Sequence, residues 1–412
     1  MRPKKGGLFM GSAFKAGAQT ESLLIRRGDP MIDPMLRLAG KLLVNGLRFQ
    51  YLKRTGRAGR PQAISLEITH RCIARCVMCN IWKIPSDVED LSVDQWLHLL
   101  GSEFLSDIRE LDITGGEPFL KEDLPALFSG ISNLKQRNLK ALTSIAVTTN
   151  GLLTDRVLHS CREILKILKE AHLDLVVVCA MDAIGDLHDR IRNYRNAWAK
   201  VDKTIQGLKS LREEYPNLII GLKTTILPVN VNELAKIVLY ADANGLFTII
   251  SPCIITDGRY LNPDRAADLQ FSRADIAKMT VFYRSELFRW GYHAETLARY
   301  YDTGVMKKPC SSGFNYLFIR STGDVFLCPL IDLSVGNIRT TPVEDMFNSP
   351  KASLFRQRIG KHLSCLRCTE PGLERYALPY EGLSYLSLLF RMGRRKFLEF
   401  HKHMGLDKYF DT

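Results

Sequence analysis

The sequence has no apolar run long enough to cross a membrane. No window of 18 residues is continuously apolar, whereas a membrane-spanning helix needs about 20 such residues. Residues 8–18 also lack the continuous apolar segment of a secretory signal, although Arg2, Lys4 and Lys5 make the N-terminus basic. Without signs of an oxidising compartment, the ten cysteines are not expected to form a disulfide framework. We therefore expect a cytoplasmic protein whose clustered thiols bind metal.

An excess of positive charge is nearly absent outside the two ends of the chain. The formal net charge is +13 over 412 residues, but residues 1–60 hold 13 Lys and Arg against three acidic residues. Residues 61–375 are nearly neutral, and residues 376–412 are again basic. This distribution argues against a nucleic-acid partner. It allows two interpretations of the ends: helices packed on a barrel with their bases in water, or peripheral contact with an anionic membrane at its inner face.

Apolar periodicity predicts an α/β protein. Residues 34–54 have the pattern of a basic amphipathic helix. From Gln62 onward, strands alternate with helical segments six times, which predicts a parallel sheet, open or curled into a partial barrel. The predicted segments are a basic N-terminal extension (1–60), the barrel (61–300), a small Cys-rich domain with a hairpin (301–375) and an amphipathic helical tail (376–412).

A first cysteine cluster follows the first predicted strand. Cys72, Cys76 and Cys79 lie close enough in sequence for three thiolates to converge on one cluster. A four-iron cluster with three cysteine ligands keeps one iron open for a small molecule, unlike an electron-carrying cluster with four. A zinc site with His70 as fourth ligand is the alternative, although zinc usually takes pairs of C-x2-C motifs.

Further motifs follow the next predicted strands in a fixed order. The segment Gly115–Pro118 (GGEP) follows the second strand, Thr148–Gly151 the third and Asp182–Arg192 the fourth. Together with C-x3-C-x2-C, these motifs resemble the radical S-adenosylmethionine (SAM) superfamily over residues 64–260. The resemblance implies contacts to SAM from Met78, Gly115, Gly116, Glu117, Pro118, Thr149, Asn150, Asp182 and Arg192.

The resemblance implies a partial (β/α)6 TIM-like barrel with its chemistry at the C-terminal ends of the strands. It implies reductive cleavage of SAM to a 5′-deoxyadenosyl radical that abstracts hydrogen from a substrate, with an electron donor such as flavodoxin or ferredoxin. The residues themselves agree, because two glycines let backbone approach a ligand and Glu117 adds negative charge beside a cationic one. Met78, Ala180 and Ala183 depart from the usual family pattern.

A second cysteine set lies in residues 301–375. Cys310, Cys328, Cys365 and Cys368 resemble the shorter "twitch" form of the SPASM auxiliary domain. No cysteine follows Cys368, so one auxiliary [4Fe–4S] cluster is expected rather than two. A structural zinc held by the same four thiolates is the alternative. An auxiliary cluster favours an oxidative reaction, dehydrogenation or bond formation, because it can accept an electron from the substrate.

No sequence feature identifies the substrate. A peptide is one option, as in maturases of ribosomal peptides or sulfatases, although residues 1–60 are short and strand-poor for a peptide-recognition domain. A sugar- or lipid-linked substrate at a membrane surface is another. Candidate wall residues of the barrel are Lys223, Thr225, Ser251, Cys253 and Asp257. The alternative outside enzymology is a zinc-stabilised binding protein without catalysis.

Overall fold

The computed structural model describes residues 34–287, 291–371, 376–377 and 380–400. Residues 1–33 of the predicted N-terminal extension and residues 401–412 of the predicted tail lie outside the described residues. None of the described helices combines the length and the apolar character that crossing a bilayer requires.

One sheet of nine strands organises the described chain. The strands are β1 (Ala63–Thr69), β2 (Glu110–Gly115), β3 (Ser144–Thr149), β4 (Asp174–Ala180), β5 (Leu218–Ile226), β6 (Phe247–Pro252), β7 (Tyr316–Ile319), β8 (Asp324–Phe326) and β9 (Ser334–Asn337). Neighbouring strands follow the order β6-β5-β4-β3-β2-β1-β7-β8-β9. Strands β1 to β6 are all parallel, which confirms the predicted parallel sheet.

Helices lie before, between and after the parallel strands. The helices are α1 (Pro34–Thr55), α2 (Val93–Leu100), α3 (Leu124–Arg137), α4 (Thr154–Glu170), α5 (Asp186–Arg192), α6 (Ala197–Glu214), α7 (Leu234–Asn244), α8 (Arg273–Arg284), α9 (Gly291–Thr303), α10 (Val343–Phe347), α11 (Pro350–Arg358), α12 (Gly382–Met392) and α13 (Arg394–Phe400). Because β1 to β6 are in sequential order, right-handed crossovers put the connecting helices on one face of the sheet. The other face becomes the concave interior of a partial barrel.

Alternation along β1 shows how the two faces differ. Ile64, Leu66 and Ile68 belong to the large apolar core that includes the connecting helices. The intervening Glu67 and Thr69 are polar and point to the opposite face, because side chains alternate along a strand. Polar groups therefore collect in the barrel interior and at its carboxyl end.

The Cys-rich C-terminal segment continues the same sheet and spans the open side of the barrel. Strand β7 pairs in parallel with β1, and β8 returns antiparallel, which confirms the predicted hairpin. At the other edge, beyond β6, the Arg259 N–H donates to the Pro329 carbonyl at 3.0 Å. The Thr256 hydroxyl also donates to the Leu330 carbonyl at 2.7 Å. This segment therefore links both edges of the six-stranded sheet.

The two terminal helices pack on each other. Leu42 of α1 is fully buried in a cluster with Tyr385 and Leu389 of α12. Further along α1, the Phe49 ring meets Phe314 edge-on, with 4.9 Å between ring centroids. The predicted apolar face of residues 34–54 is thus buried, against α12 and the loop before β7 rather than against the barrel strands.

Candidate functional site

A cleft opens at the carboxyl ends of the parallel strands. Its empty volume is about 1040 Å³ when the part open to solvent is included. Its walls come from the cysteine loop (residues 72–79), the ends of β2 to β6, and the segment that follows the last cysteine. The lining residues are Cys72, Ala74, Cys76, Met78, Cys79, Ile81, Trp82, Thr114, Gly115, Gly116, Thr148, Thr149, Asn150, Ala180, Arg192, Lys223, Thr225, Ser251, Pro252, Cys253, Ile254, Arg259, Tyr260 and Glu370.

The glycine pair at the end of β2 fixes the start of the cysteine loop. The Gly116 N–H donates to the Thr69 carbonyl at 2.8 Å, and the Glu117 N–H donates to the Arg71 carbonyl at 2.8 Å. A Cβ on Gly115 would collide with the Thr69 carbonyl, and one on Gly116 with the Arg71 carbonyl. Gly115 also has φ +145°. These glycines therefore admit the backbone of the cysteine loop, a reason beyond the predicted approach of a ligand.

The C-terminal end of α5 holds the other side of the cysteine loop. The Arg75 N–H donates to the Arg192 carbonyl at 3.2 Å, and the Val77 N–H donates to the Ile191 carbonyl at 3.0 Å. The loop is thereby bonded to two separate elements, which fixes the directions of its thiols.

The three thiols of the loop lie within electrostatic reach of one another. Burial, and next the neighbouring Cys76, raises the pKa of Cys72 to about 12. The same two causes raise the pKa of Cys79 to about 12. The Asn150 Nδ2 lies 3.8 Å from the Cys72 Sγ, and the Arg192 Nη1 lies 3.6 Å from the Cys76 Sγ. Thiols with so high a pKa are poor free nucleophiles, whereas a bound metal deprotonates them.

Glu117 is buried behind the cleft. Its carboxylate, which has no exposed surface, accepts hydrogen bonds from the Thr149 hydroxyl at 2.8 Å and the Asn150 N–H at 2.7 Å. Burial raises the pKa of Glu117 to about 7 against the effect of these hydrogen bonds. The carboxylate joins the ends of β2 and β3. Neither Glu117 nor the adjacent Pro118 is among the described residues that line the cleft.

An ion pair supports the same wall. The Arg192 Nη2 lies 2.7 Å from Oδ2 of Asp182, whose side chain is fully buried. Asp182 also accepts a hydrogen bond from the Thr225 N–H at 2.8 Å. The Arg192 Nε is buried without a hydrogen-bond partner in the structure. Asp182 thus positions a cation that borders both the cleft and Cys76, with a donor left for an additional acceptor.

Met78 contributes an apolar part of the wall. Its side chain is buried with Ala183, Ile191 and Leu227, and its carbonyl accepts a hydrogen bond from the Asn262 Nδ2 at 2.8 Å. A thioether adapts its shape to a neighbouring ring or chain. Among the residues predicted to contact SAM, Met78, Gly115, Gly116, Thr149, Asn150 and Arg192 line the cleft, whereas Glu117, Pro118 and Asp182 lie behind it.

The donor set fits an iron–sulfur cluster. Three half-buried cysteines meet at one cleft, beside backbone and a guanidinium. His70, the proposed fourth zinc ligand, has both ring nitrogens engaged: Nδ1 is 3.1 Å from Asp90 Oδ1, and Nε2 is 3.2 Å from the Pro85 carbonyl. Within the described ranges, no three His, Cys, Asp or Glu side chains are arranged to hold a single metal ion. A [4Fe–4S] cluster makes a different demand, since each cysteine binds its own iron.

The four later cysteines also lie near one another. Burial raises the pKa of Cys310 to about 12 against the effect of the nearby Lys308, and Cys368 and Cys365 contribute to the increase. Burial likewise raises the pKa of Cys328, with contributions from the other three thiols. The short 3₁₀ turn Cys365–Arg367 places two of the thiols one turn apart. The arrangement can provide four thiolate ligands to one site.

The cleft wall also includes residues that were not predicted, among them Trp82, Arg259, Tyr260 and Glu370. The Trp82 Nε1 donates to the Cys79 carbonyl at 3.0 Å, and the Arg259 Nη2 donates to the Thr114 hydroxyl at 2.7 Å. Trp82 and Glu370 closely follow a cysteine in sequence, a signal that could have identified them. The loop that carries Arg259 has no motif of its own.

Of the predicted wall residues, Lys223, Thr225, Ser251 and Cys253 line the cleft. Asp257 is exposed and is not among the lining residues. Lys223 lies on β5 and interacts electrostatically with Asp182. Arg259 and Glu370 interact electrostatically with each other in the part of the wall near the last cysteine. The cleft therefore presents charged groups of both signs.

Two family models match successive parts of the chain. The model described as "Radical SAM superfamily" matches residues 66–241. The model described as "Iron-sulfur cluster-binding domain" (SPASM) matches residues 310–369. The first range contains the cysteine loop, and the second contains all four cysteines of the later set, Cys310, Cys328, Cys365 and Cys368.

Curated relatives match most of the chain at low identity. The sporulation killing factor maturation protein SkfB of Bacillus subtilis is 23% identical over 318 residues, which are 76% of this chain and 72% of SkfB. The AdoMet-dependent heme synthase of Methanosarcina barkeri is 22% identical over 72% of this chain and 84% of its own. The subtilosin biosynthesis protein AlbA of Bacillus subtilis is 22% identical over 76% of this chain and 66% of AlbA.

Solved structures share the fold. SuiB of Streptococcus suis bound to S-adenosylmethionine has a TM-score of 0.54 and 16% identity, covering 83% of this chain and 77% of SuiB. The protein anSMEcpe with bound AdoMet has a TM-score of 0.55 and 17% identity, covering 84% of this chain and 99% of its own.

Proposed function

Because the chain belongs to the radical SAM superfamily and carries a SPASM iron–sulfur cluster-binding domain, we propose that its cleft is where SAM is cleaved. The cofactors are SAM, the [4Fe–4S] cluster of the radical SAM domain and auxiliary iron–sulfur cluster chemistry in the SPASM domain. Reductive cleavage gives a 5′-deoxyadenosyl radical that abstracts hydrogen from the substrate. The observation that carries the assignment is the meeting of three thiols with Gly115, Gly116 and Arg192 at one cleft.

We propose that Cys72, Cys76 and Cys79 hold the SAM-binding cluster. Their fixed directions support this role, because β2 and α5 both bond to the loop backbone. Three ligands leave one iron open for the amino-acid end of SAM.

The cleft wall supports a binding site for SAM itself. The carbonyls near Gly115 and Gly116 accept hydrogen bonds from an ammonium, and Met78 offers an apolar surface for the adenine. Arg192 adds a cation held by Asp182. Glu117 and Pro118 act through the ends of β2 and β3, so we propose positioning roles for them rather than direct contacts.

We propose that Cys310, Cys328, Cys365 and Cys368 hold one auxiliary [4Fe–4S] cluster. Glu370, two residues after the last of them, lines the cleft, so this site borders the same cavity. A fully ligated cluster there can accept the electron left on the substrate after hydrogen abstraction. The reaction that this arrangement favours is oxidative, dehydrogenation or bond formation.

A peptide is the substrate class that we favour. The charged groups Lys223, Arg259 and Glu370 on the wall suit a polar chain with groups of both signs. SkfB and AlbA are named for the maturation or biosynthesis of peptide products, and SuiB has been crystallised with its precursor peptide SuiA. A sugar- or lipid-linked substrate is the second candidate, favoured by the basic helices at the chain ends.

The reaction requires a supply of electrons. We propose a flavodoxin or ferredoxin as the donor, in a cytoplasmic location. The basic ends of the chain support contact with an anionic membrane surface as a second interaction.

The direct test is formation of 5′-deoxyadenosine from SAM with dithionite under anaerobic conditions. We expect brown protein with about eight irons per chain, as two four-iron clusters require. Changing Cys72, Cys76 and Cys79 to Ala should abolish 5′-deoxyadenosine and leave about four irons. The matched control is Cys161→Ala, which removes a buried core thiol on α4. This variant should keep both the formation of 5′-deoxyadenosine and the iron content of wild type. Colourless, zinc-loaded wild-type protein would refute the proposal.

A further inference from the structure

The outward side of α1 carries a second apolar stripe. The exposed fractions are 59% for Leu36, 42% for Leu43, 64% for Val44, 58% for Leu47 and 55% for Tyr51. At 3.6 residues per turn these side chains share one side of the helix, away from the side that Leu38, Leu42 and Phe49 bury. Between Leu36 and Tyr51 the stripe extends for about 22 Å. Helix α1 is therefore apolar on two sides, and among the residues that the structure describes only one of these sides has a partner.

Basic side chains border this outward stripe. Arg37, Lys41 and Arg48 fall in one row along its edge, because they are spaced by about whole turns. Arg37 and Arg48 are exposed. The helix contains no Asp or Glu. The stripe thus has the composition of a helix that lies in a membrane interface, apolar in the middle and basic at the edge.

Helix α12 widens the surface. Leu383 lies directly over Gly46 of α1, where a Cβ would collide with it. The exposed fractions of Leu383 and Phe390 are 36% and 56%. The two helices therefore present one broader apolar surface rather than a single ridge.

We propose that this outward face of α1 and α12 binds an anionic lipid surface. The apolar stripe would enter the headgroup region, and Arg37, Lys41 and Arg48 would contact lipid phosphates. Helix α1 contributes no lining residue to the cleft, so the contact leaves the cleft free. The inference does not depend on the radical chemistry.

Charge favours lipid over the other possible occupants. In a second copy packed on the same face, the basic rows of two helices would face each other without acidic residues on α1 to neutralise them. Residues 1–33 hold six Lys and Arg against three acidic residues, so their charge has the same sign as the row. An anionic membrane supplies both the apolar medium and the opposite charge.

The experiment is vesicle co-sedimentation of the full-length holoenzyme. Vesicles of phosphatidylcholine alone are compared with vesicles that also contain phosphatidylglycerol. The stripe variant is Leu43→Gln/Leu47→Gln, and the charge variant is Arg37→Gln/Arg48→Gln. The matched control is Leu239→Gln/Val281→Gln, which removes apolar side chains 58% and 71% exposed on other helices. We expect wild-type binding to the anionic vesicles only, weakened by salt, and about tenfold weaker binding for each test variant but not for the control.

Three results would overturn the proposal: no wild-type binding, equal binding to both kinds of vesicle, or equal binding by wild type and the stripe variant. A wild-type dimer that Leu43→Gln/Leu47→Gln converts to monomer in light scattering would assign the face to self-association instead. Thermal midpoints check that the variants fold. Wild type and all three variants should form 5′-deoxyadenosine equally in vesicle-free solution. If wild type forms no 5′-deoxyadenosine, that result would count against the radical chemistry alone and not against the lipid contact.

Discussion

Glu67 is a carboxylic acid buried in the barrel interior. Its exposed fraction is 2%, on the central part of β1. Burial raises the pKa of Glu67 from 4.5 to about 6, while the nearby Arg320 and Arg259 lower it. The folded protein therefore binds this proton more tightly than the unfolded chain does. Stability contributed by the group is complete below pH 4.5 and is lost as the pH rises through about 6.

Replacing Glu67 by Gln should remove the contribution of this group to the pH dependence of the unfolding free energy. Relative to Glu67→Gln, wild-type protein should lose about 2 kcal/mol of unfolding free energy between pH 4.5 and about 7. Thermal midpoints of the two proteins, measured across that range, give the difference. Glu213→Gln, a change at an exposed position on α6, is the control and should follow wild type. A constant difference between wild type and Glu67→Gln would contradict the assignment.

Spacing in the sequence was sufficient to group the three cysteines on one loop, and the position of the glycine pair directly after a predicted strand was sufficient to put it at the same end of the sheet. It was not sufficient for Arg259, whose partner Thr114 is 145 residues away. The direction of Glu117 was also not predictable. Whether a carboxylate faces the cleft or β3 depends on Thr149 and Asn150, which only the folded sheet brings near.

At the scale of elements, close helix contact depends on glycine. A Cβ on Gly382, the first residue of α12, would overlap the backbone of Leu42 in α1. Gly40, two residues earlier on α1, has no atom within 4 Å of its virtual Cβ. The same helix pair thus offers one glycine that packing requires and one that it does not.

The two glycines should respond in opposite directions to alanine. Gly382→Ala forces α12 away from α1 and should lower the unfolding free energy by about 1–3 kcal/mol. Gly40→Ala should raise it by about 0.5–1 kcal/mol, since alanine is the better helix former. Hydrogen exchange of the amides in 34–55 should become faster only in the first variant. Equal exchange in both variants would show that the contact is not close.

Arg356 joins three elements through buried hydrogen bonds. Its Nε donates to the Gly313 carbonyl at 2.5 Å, its Nη1 to the Gly56 carbonyl at 3.0 Å, and its Nη2 to the Phe347 carbonyl. The guanidinium also lies 4.5 Å from the centroid of the Phe347 ring. One side chain of α11 therefore connects the end of α1, the loop after Cys310 and the end of α10.

Removal of this guanidinium should leave three buried carbonyls without donors. We expect Arg356→Ala to lower the unfolding free energy by about 3–5 kcal/mol. Arg358→Ala, which truncates an exposed arginine of the same helix, should stay within about 0.5 kcal/mol of wild type. Chemical denaturation of both variants measures the difference. A similar loss in both would show that the three buried hydrogen bonds are not its cause.

Periodicity predicted the elements themselves well, since strands and helices differ in repeat. The helix predicted at 34–54 is α1, and the six parallel strands lie where alternation placed them. The prediction from periodicity missed the outward stripe of α1, because it assigned only one apolar face to this helix. Leu38 and Leu42 belong to that face, whereas Leu43 and Leu47 belong to the other.

At the scale of the whole molecule, the radical SAM region and the Cys-rich segment are parts of one sheet. Strand β7 pairs with β1, and the segment after β8 bonds to the loop after β6. This pairing was not predictable, since a hairpin pattern does not specify its distant partner. The domain boundary predicted near residue 300 therefore separates sequence motifs that share one hydrogen-bonded framework.

A shared sheet predicts joint unfolding. We expect far-ultraviolet circular dichroism and the visible absorbance of the clusters to be lost in one coincident transition on anaerobic heating, because breaking β7 away exposes the edge of β1. Two separate transitions, with the auxiliary cluster lost first, would contradict this expectation. Iron quantification on either side of the midpoint identifies which cluster remains.

The central place of β1 also has a consequence for synthesis on the ribosome. Strand β7 emerges about 250 residues after β1, which is a delay of about 12–50 s at about 5–20 residues per second. Throughout that interval one edge of β1, next to three thiols, has no strand beside it and can pair with other chains. The yield of folded protein should therefore depend on translation speed and on the supply of chaperones that shield nascent strands.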